Sequence, residues 1–195
     1  MKKINSILIV AMSVFVFQSC QNKAKDSTAS ADSLNKTKDT TSNAAATGGI
    51  AVDKDDAKFA VEAANGGMAE VDMGKIAQKN AANQRVKDFG AMMVSDHSKA
   101  NDELKALAKT KNIALPLAVN NDEQKMEDDL NKKTGKDFDK AYVDGMVKDH
   151  KDDIKAFEDA AKNCKDADIK AFAEKTLPTL KVHLDSIEAI KKSMK

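Results

Sequence analysis

The stretch that decides the fold is NQRVKDFGAMMVSDHSKANDELKALAKTK, from Asn83 to Lys111. Asn83 is a residue type that caps helix N-termini, and the apolar residues after it recur every three or four positions. This spacing places them on one face of a helix. The stripe consists of Val86, Phe89, Met93, His97, Ala100, Leu104 and Leu107. The pattern predicts one long amphipathic helix with a histidine on its buried face.

Three more segments share this helical period, at about residues 55–78, 137–163 and 166–193, and runs of β-branched residues are absent. A short polar segment between them is predicted to form a helix that begins with Asn121 as its cap and ends at Gly135. Four long helices with one apolar face each bury those faces by packing together. The sequence therefore predicts an all-α fold, a four-helix bundle with a short extra helix in the crossover.

The N-terminal residues carry the pattern of an export signal. An apolar run, Ile7–Phe17, follows two lysines and is too short to span a bilayer as a helix. Ser19 directly before Cys20 is similar to the lipobox of bacterial lipoproteins, so residues 1–19 are predicted to be a lipoprotein-type signal peptide and Cys20 the lipidated residue. The alternative is an ordinary secretory signal that is cut nearby. The lipid predicts a membrane anchor in the bacterial cell envelope, at the outer membrane or in the periplasm.

Composition divides the rest of the chain in two. Residues 20–53 contain almost no large apolar side chain, so this segment is predicted to be a disordered tether behind the lipidated cysteine. Residues 54–195 have the length of one domain and form the predicted bundle. The chain carries 32 basic and 31 acidic residues, a balance that argues against nucleic-acid binding, and no pattern identifies a protein partner.

Two nearly identical phrases, MVSDH at Met93–His97 and MVKDH at Met146–His150, contain two of the three histidines of the chain. All three histidines and one glutamate fall on the apolar stripes of four different helices. Imidazole and carboxylate bind divalent transition metals, and thioether sulfur extends the set to copper. The predicted metal ligands are Glu70, His97, His150 and His183, with Met93 and Met146 as optional additional ligands.

A purely structural polar core is the competing interpretation of the same residues. A buried histidine is most often hydrogen-bonded to a neighbour, and Asp96 and Asp149, next to two of them, can serve an adjacent helix. Buried methionine commonly fills irregular gaps in a core. The helix rise leaves the paired side chains offset by about 7 Å in depth, so the sequence leaves both interpretations open.

Other chemistry is sparse. The chain lacks a glycine-rich phosphate loop, a serine nucleophile signature and an H-E-x-x-H motif, so no catalytic residue is assigned and an enzymatic function ranks third. Cys164 is interpreted as an inert thiol because no histidine lies near it in sequence. Gly66, Gly67 and Gly74 are expected to permit close approach of a neighbouring helix, or else to leave room near Glu70.

Three segments of the domain carry a resemblance to a known family. They are AANGGMAEVDMGKIAQKNAANQRVKDFGAMMVSDHSKANDELKALA from Ala63, FDKAYVDGMVKDHKDDIKAFE from Phe138 and DIKAFAEKTLPTLKVHL from Asp168. From Lys58 to Ile190 the chain resembles a bacterial domain family of unknown function whose members are described as exported or outer-membrane proteins. The resemblance implies a ferritin-like helical bundle and brings no established activity. The di-iron proteins of that fold use Glu-x-x-His pairs, whereas Val94, Val147 and Leu180 stand three residues before the histidines here.

Together these patterns predict a lipid-anchored extracytoplasmic helical-bundle protein of unassigned activity, with binding of a metal ion or small ligand in its core as the leading hypothesis. The sequence does not identify the cofactor; a divalent metal or copper is the candidate, and the membrane is the predicted partner of the anchor. The alternative is a non-catalytic envelope or stress-related interaction module whose polar core is structural.

Overall fold

The structure is a computed structural model that describes residues 26–38 and 52–194. Within these residues it contains six α-helices and no β-strand, which confirms the all-α prediction. In chain order, α1 is Ser27–Lys38, α2 Lys54–Asn80, α3 Gln84–Thr110, α4 Asn121–Asn131, α5 Gly135–Asn163 and α6 Ala167–Ser193. No helix in this part of the chain is long and apolar enough to cross a membrane. The predicted signal peptide and Cys20 lie outside the described residues.

The boundaries of α4 differ from the prediction. Its cap is Asn120 rather than Asn121, and the Asn120 side chain accepts a hydrogen bond from the backbone N–H of Glu123. Gly135 does not end this helix, which stops at Asn131, but is the first residue of α5. Its φ of 63° lies in the left-handed region, where glycine has no steric penalty.

Four long helices pack as two hairpins. α2 packs along α3 and α5 along α6, each pair joined by a short turn. The hairpins meet through α2 against α5 and α3 against α6, and α4 packs on α2 in the connection between them. A Cβ added to Gly74 of α2 would lie 2.7 Å from the carbonyl oxygen of Gly90 on α3. This confirms for Gly74 the predicted close approach of a neighbouring helix.

The apolar core consists of two clusters with a polar layer between them. The first cluster lies toward the α2–α3 turn and includes Met73, Phe89, Met93, Phe138, Tyr142, Met146 and Ile187. The second lies toward the α5–α6 turn and includes Phe59, Leu104, Phe157, Ile169, Phe172 and Leu180. The buried polar residues between the clusters are Glu70, His97, His150 and His183. Burying such a layer costs free energy unless its polar atoms are hydrogen-bonded or bind a ligand. These four residues therefore form the candidate functional site.

The prediction of a disordered tether over residues 20–53 is wrong for its described middle part, which forms α1. Ala31 on this helix is 3% exposed. The Asn35 side chain donates to the carbonyl of Ala114 at 2.9 Å and accepts from its N–H at 2.7 Å. Composition did not predict α1 because polar side chains of this helix make hydrogen bonds with backbone groups of the irregular segment between α3 and α4. Such hydrogen bonds need little burial of apolar surface.

Candidate metal centre

The four side chains predicted as principal metal ligands meet in the polar layer. Glu70 comes from α2, His97 from α3, His150 from α5 and His183 from α6, and none is more than 6% exposed. The ring centroids of the three histidines lie between 5.2 and 5.9 Å apart. Helix packing therefore brings these residues to one level, without the depth offset expected from an untilted helix rise.

Short distances join the four residues. His97 Nδ1 lies 2.8 Å from Glu70 Oε2. His150 Nε2 lies 3.4 Å from His183 Nδ1 and also 3.4 Å from Glu70 Oε1. One ring nitrogen of each histidine lies within 4.8 Å of a ring nitrogen of each of the other two, so the triad can hold a metal ion.

The outer nitrogens of two histidines have fixed acceptors. His150 Nδ1 lies 2.9 Å from the backbone carbonyl of Met146, an atom that only accepts, so Nδ1–H donates. His183 Nε2 lies 3.2 Å from Asp96 Oδ2. Although burial opposes it, this hydrogen bond keeps the pKa of Asp96 below its usual range, so the carboxylate is ionised and Nε2–H donates. A neutral imidazole carries one proton, so the inner nitrogens, His150 Nε2 and His183 Nδ1, both present lone pairs.

Two more buried atoms of the layer lack a donor. Among the described residues, neither His97 Nε2 nor Glu70 Oε1 has a hydrogen-bond partner. Unpaired buried acceptors are rare and cost about 1–3 kcal/mol each. The layer therefore gathers lone pairs from three imidazoles and one carboxylate, which is the donor set of a cation site.

Burial keeps the three histidines neutral. It lowers the pKa of His97 to about 4, and it also lowers the pKa of His150 and of His183. The charge of Glu70 acts in the opposite direction on the pKa of His150 and is the weaker effect. Neutral imidazole is the form that binds metal, so no proton has to leave these rings at neutral pH.

Asp153 of α5, which the sequence did not predict as a site residue, is a second carboxyl group beside Glu70. It hydrogen-bonds to Glu70, and burial together with the charge of Glu70 raises its pKa. Burial also raises the pKa of Glu70, to about 7, so both carboxyl groups take up a proton more readily than exposed ones. The available signal was the position of Asp153 three residues after His150, which puts both on one face of the helix.

The two methionines predicted as optional ligands lie in the first apolar cluster, one turn before the histidines. Met93 and Met146 are both fully buried there. Met146 contacts the polar layer through its backbone carbonyl oxygen, which accepts a hydrogen bond from His150 Nδ1–H. Their packing is that of core methionines.

Three imidazole nitrogens with one carboxylate suit a first-row divalent cation such as Zn²⁺, Cu²⁺, Ni²⁺ or Fe²⁺. A void of about 20 Å³ beside Glu70, His97 and Asp153 has room for one water molecule. The arrangement can therefore hold an ion together with one small additional ligand.

Comparisons with known proteins give one assignment. The family model for the Domain of unknown function (DUF4142) matches residues 39–190. Neither the curated proteins nor the solved structures give a match. The matched range includes all four long helices except the end of α6, and it contains every residue of the candidate metal centre. The chain therefore belongs to the DUF4142 family of domains of unknown function.

Proposed function

We propose that this domain binds one divalent transition-metal cation in its core, through His97, His150 and His183, with Glu70 as an oxygen ligand. The observation that carries the proposal is the 3.4 Å distance between His150 Nε2 and His183 Nδ1, two nitrogens that both present lone pairs in the tautomers assigned from their outer hydrogen bonds. The outer nitrogens of both rings already donate, so a bridging proton would turn one ring into a buried cation, which desolvation opposes. A metal ion between the nitrogens uses both lone pairs.

The spacing supports tetrahedral coordination. Two nitrogens bound tetrahedrally at about 2.1 Å from Zn²⁺ lie about 3.4 Å from each other. His150 Nε2 lies 3.4 Å from His183 Nδ1 and 3.4 Å from Glu70 Oε1. The ligand nitrogen of His97 lies within 4.8 Å of the other two, so a small side-chain movement completes the shell.

The outer hydrogen bonds also support a ligand role. Metal-bound histidines usually donate their other N–H to a carboxylate or a carbonyl, which orients the ring and raises its basicity. In this site the acceptors beside His183, His150 and His97 are, in that order, Asp96, the Met146 carbonyl and Glu70. Glu70 thus orients one ligand with Oε2 and offers Oε1 to the ion.

Isothermal titration of Zn²⁺ and Cu²⁺ into protein purified natively without chelators, with elemental analysis of the same sample, tests the proposal. One ion per chain is expected. His150→Gln should abolish binding, whereas the buried control Met146→Leu should retain it, because the site uses the backbone of Met146. Loss of affinity in Met146→Leu would make the thioether a ligand and favour copper. No binding by the wild-type protein would contradict the proposal.

A structural polar core is the second candidate function, and one observation favours it. Glu70 already contacts His97 at 2.8 Å and hydrogen-bonds to Asp153, so part of the layer is satisfied without an ion. Under this alternative the domain is a non-catalytic envelope or stress-related interaction module. Its melting temperature is then independent of added ions, whereas an ion bound to the native state raises it by mass action.

The proposal extends to fold type and location: a ferritin-like four-helix bundle, lipid-anchored in a bacterial envelope at the outer membrane or in the periplasm. Support for the bundle comes from a ligand layer to which all four long helices contribute. Support for the anchor comes from the apolar run Ile7–Phe17 followed by Ser19 and Cys20. Cys20→Ala should release the protein from the membrane fraction, whereas the control Cys164→Ala should not. Membrane association that survives Cys20→Ala would contradict the anchor.

A further inference from the structure

An acidic cavity adjoins the candidate metal centre. It has a volume of about 150 Å³ and lies between α2, α4 and α5. The carboxyl residues that line it are Glu70, Glu123, Asp149, Asp152 and Asp153, and the cationic residue in its lining is Lys148. The cavity therefore carries a strong excess of acidic groups.

The acidic cavity extends from exposed side chains to Glu70, the residue through which it adjoins the metal centre. At its outer end Lys148 and Asp152 form an ion pair, with side chains 74% and 68% exposed. At its inner end are Glu70, which is 3% exposed, and Met73, which is 1% exposed. Glu70 belongs to both the cavity and the metal centre, and its Oε1 has no hydrogen-bond partner within the described residues.

The carboxylates of the acidic cavity are too dispersed to chelate an ion by themselves. In the part of the chain that the structure describes, only the histidine triad brings three ligand atoms from His, Cys, Asp or Glu within 4.8 Å of one another. Dispersed charges of one sign around a narrow opening with low-dielectric walls concentrate the field and attract counter-ions. The cavity has the character of a passage rather than a second binding site.

Gly66 keeps one wall of the acidic cavity open. A Cβ added there would lie 3.7 Å from Asp153 Oδ1, an ordinary contact, so the position leaves space toward the cavity. Gly74, two turns later on the same helix, instead faces the backbone of α3 at 2.7 Å. Gly66 thus lines the acidic cavity one turn before Glu70, and a Cβ would fit there.

We infer that the acidic cavity is the entrance through which a divalent cation reaches the histidines, an inference that rests on the proposed function. Glu123, Asp149 and Asp152 lower the free energy of the approaching cation. Glu70 Oε1 then binds the ion at the inner end and remains a ligand while the imidazole nitrogens complete the shell. Lys148 at the outer end opposes its passage.

The test is the rate at which single variants take up Co²⁺, followed by stopped-flow absorbance at low ionic strength. Glu123→Gln should slow uptake about threefold to fivefold and Lys148→Gln should accelerate it by a similar factor, which is the effect of a unit charge about 8 Å from a divalent ion in water. Asp185→Asn, exposed on α6 and outside the cavity lining, is the matched control and should leave the rate unchanged. Both effects should shrink in about 0.5 M salt.

Gly66→Leu tests the same path by volume instead of charge. It should slow uptake at least about tenfold and change the Kd much less, because a blocked path slows arrival and departure together. Circular dichroism and thermal melting check its fold. Unaltered rates in Glu123→Gln and Lys148→Gln would overturn the entrance and leave the proposed function intact. Failure of the wild-type protein to take up any ion would overturn the proposed function itself.

Discussion

The pentapeptides MVSDH, Met93–His97, and MVKDH, Met146–His150, are nearly the same sequence placed in two different surroundings. Both put a methionine in the first apolar cluster and a histidine in the polar layer. The aspartate directly before each histidine differs between the two: Asp96 is hydrogen-bonded to a histidine of another helix, whereas Asp149 is not. The comparison therefore separates what a sequence repeat specifies from what the opposite helix decides.

Asp96 accepts the Nε2–H of His183 on α6 at 3.2 Å. Asp149 instead faces the acidic cavity, where burial and the nearby charge of Glu123 raise its pKa to about 6. Its buried Oδ2 has no hydrogen-bond partner among the residues described. A repeated phrase thus sets depth and face along a helix, whereas the packing partner sets the role of the polar side chain.

The largest expected effect distinguishes the two histidines of the pentapeptides. His97→Ala removes a buried ring together with its 2.8 Å contact to the buried Glu70 carboxyl group, and should lower the free energy of unfolding by about 3–5 kcal/mol. His150→Ala removes a fully buried ring whose nearest fixed partner is a neutral carbonyl and should cost about 2–3 kcal/mol. Urea unfolding of both variants at pH 7 measures the difference. A larger loss in His150→Ala would refute this assignment of the Glu70 partner.

The second prediction concerns metal affinity and the two aspartates. Asp96→Asn removes the carboxylate that orients His183 and should weaken the binding of Zn²⁺ about 10-fold to 100-fold. Asp149 does not accept a hydrogen bond from a histidine ring, so Asp149→Asn should change the equilibrium affinity for Zn²⁺ far less. Isothermal titration compares the two variants, and equal losses of affinity would show that the aspartates are equivalent.

The third prediction is a pH dependence. Because the pKa of Asp149 is raised from 3.8 to about 6, the folded protein binds more protons than the unfolded chain in this window, and this group makes stability fall as the pH rises through it. Asp149→Asn removes that loss, so the variant should be more stable than wild type by about 1–2 kcal/mol at pH 8. The two proteins should unfold at the same urea concentration near pH 3.5. A variant that is less stable at pH 8 would mean that Asp149 has a favourable partner.

The smallest effect is expected from Lys148→Ser, which makes the two pentapeptides identical. The Lys148–Asp152 ion pair is exposed, so the free energy of unfolding should change by less than about 0.5 kcal/mol. The pKa of Asp149 should rise, because the attraction of Lys148 now lowers it. Carboxyl NMR titration measures this value. A fall below the ordinary range, as for Asp96, would show that the pentapeptide itself sets the role.

Periodicity predicted the four long helices and most of the candidate metal centre. The spacing of His97, His150 and His183 from their apolar neighbours indicated that all three face one core. It did not indicate that Glu70 contacts His97 or that Asp153 contacts Glu70, since these contacts depend on side-chain rotamers and on the rotation of one helix against another. Sequence spacing specifies the layer, and packing specifies the pairs within it.

The helix α1 and the boundaries of α4 could not be predicted from the same rules. Composition measures how much apolar surface a segment can bury, whereas α1 is held through side chains such as Asn35, which bonds the backbone of Ala114. Gly135 was interpreted as a helix end, but its left-handed backbone begins α5 instead. Asn35 and Gly135 are both residue types that occur in more than one structural context, and tertiary contacts decide which of these contexts forms.

Metal binding by the three histidines is tested most directly by anomalous diffraction at the zinc absorption edge from crystals grown with Zn²⁺. We expect one peak about 2.1 Å from His150 Nε2 and His183 Nδ1, with a His97 nitrogen and Glu70 Oε1 completing the shell. The contradicting result is a crystal structure, grown with the same Zn²⁺ concentration, in which no anomalous peak lies among the three histidines.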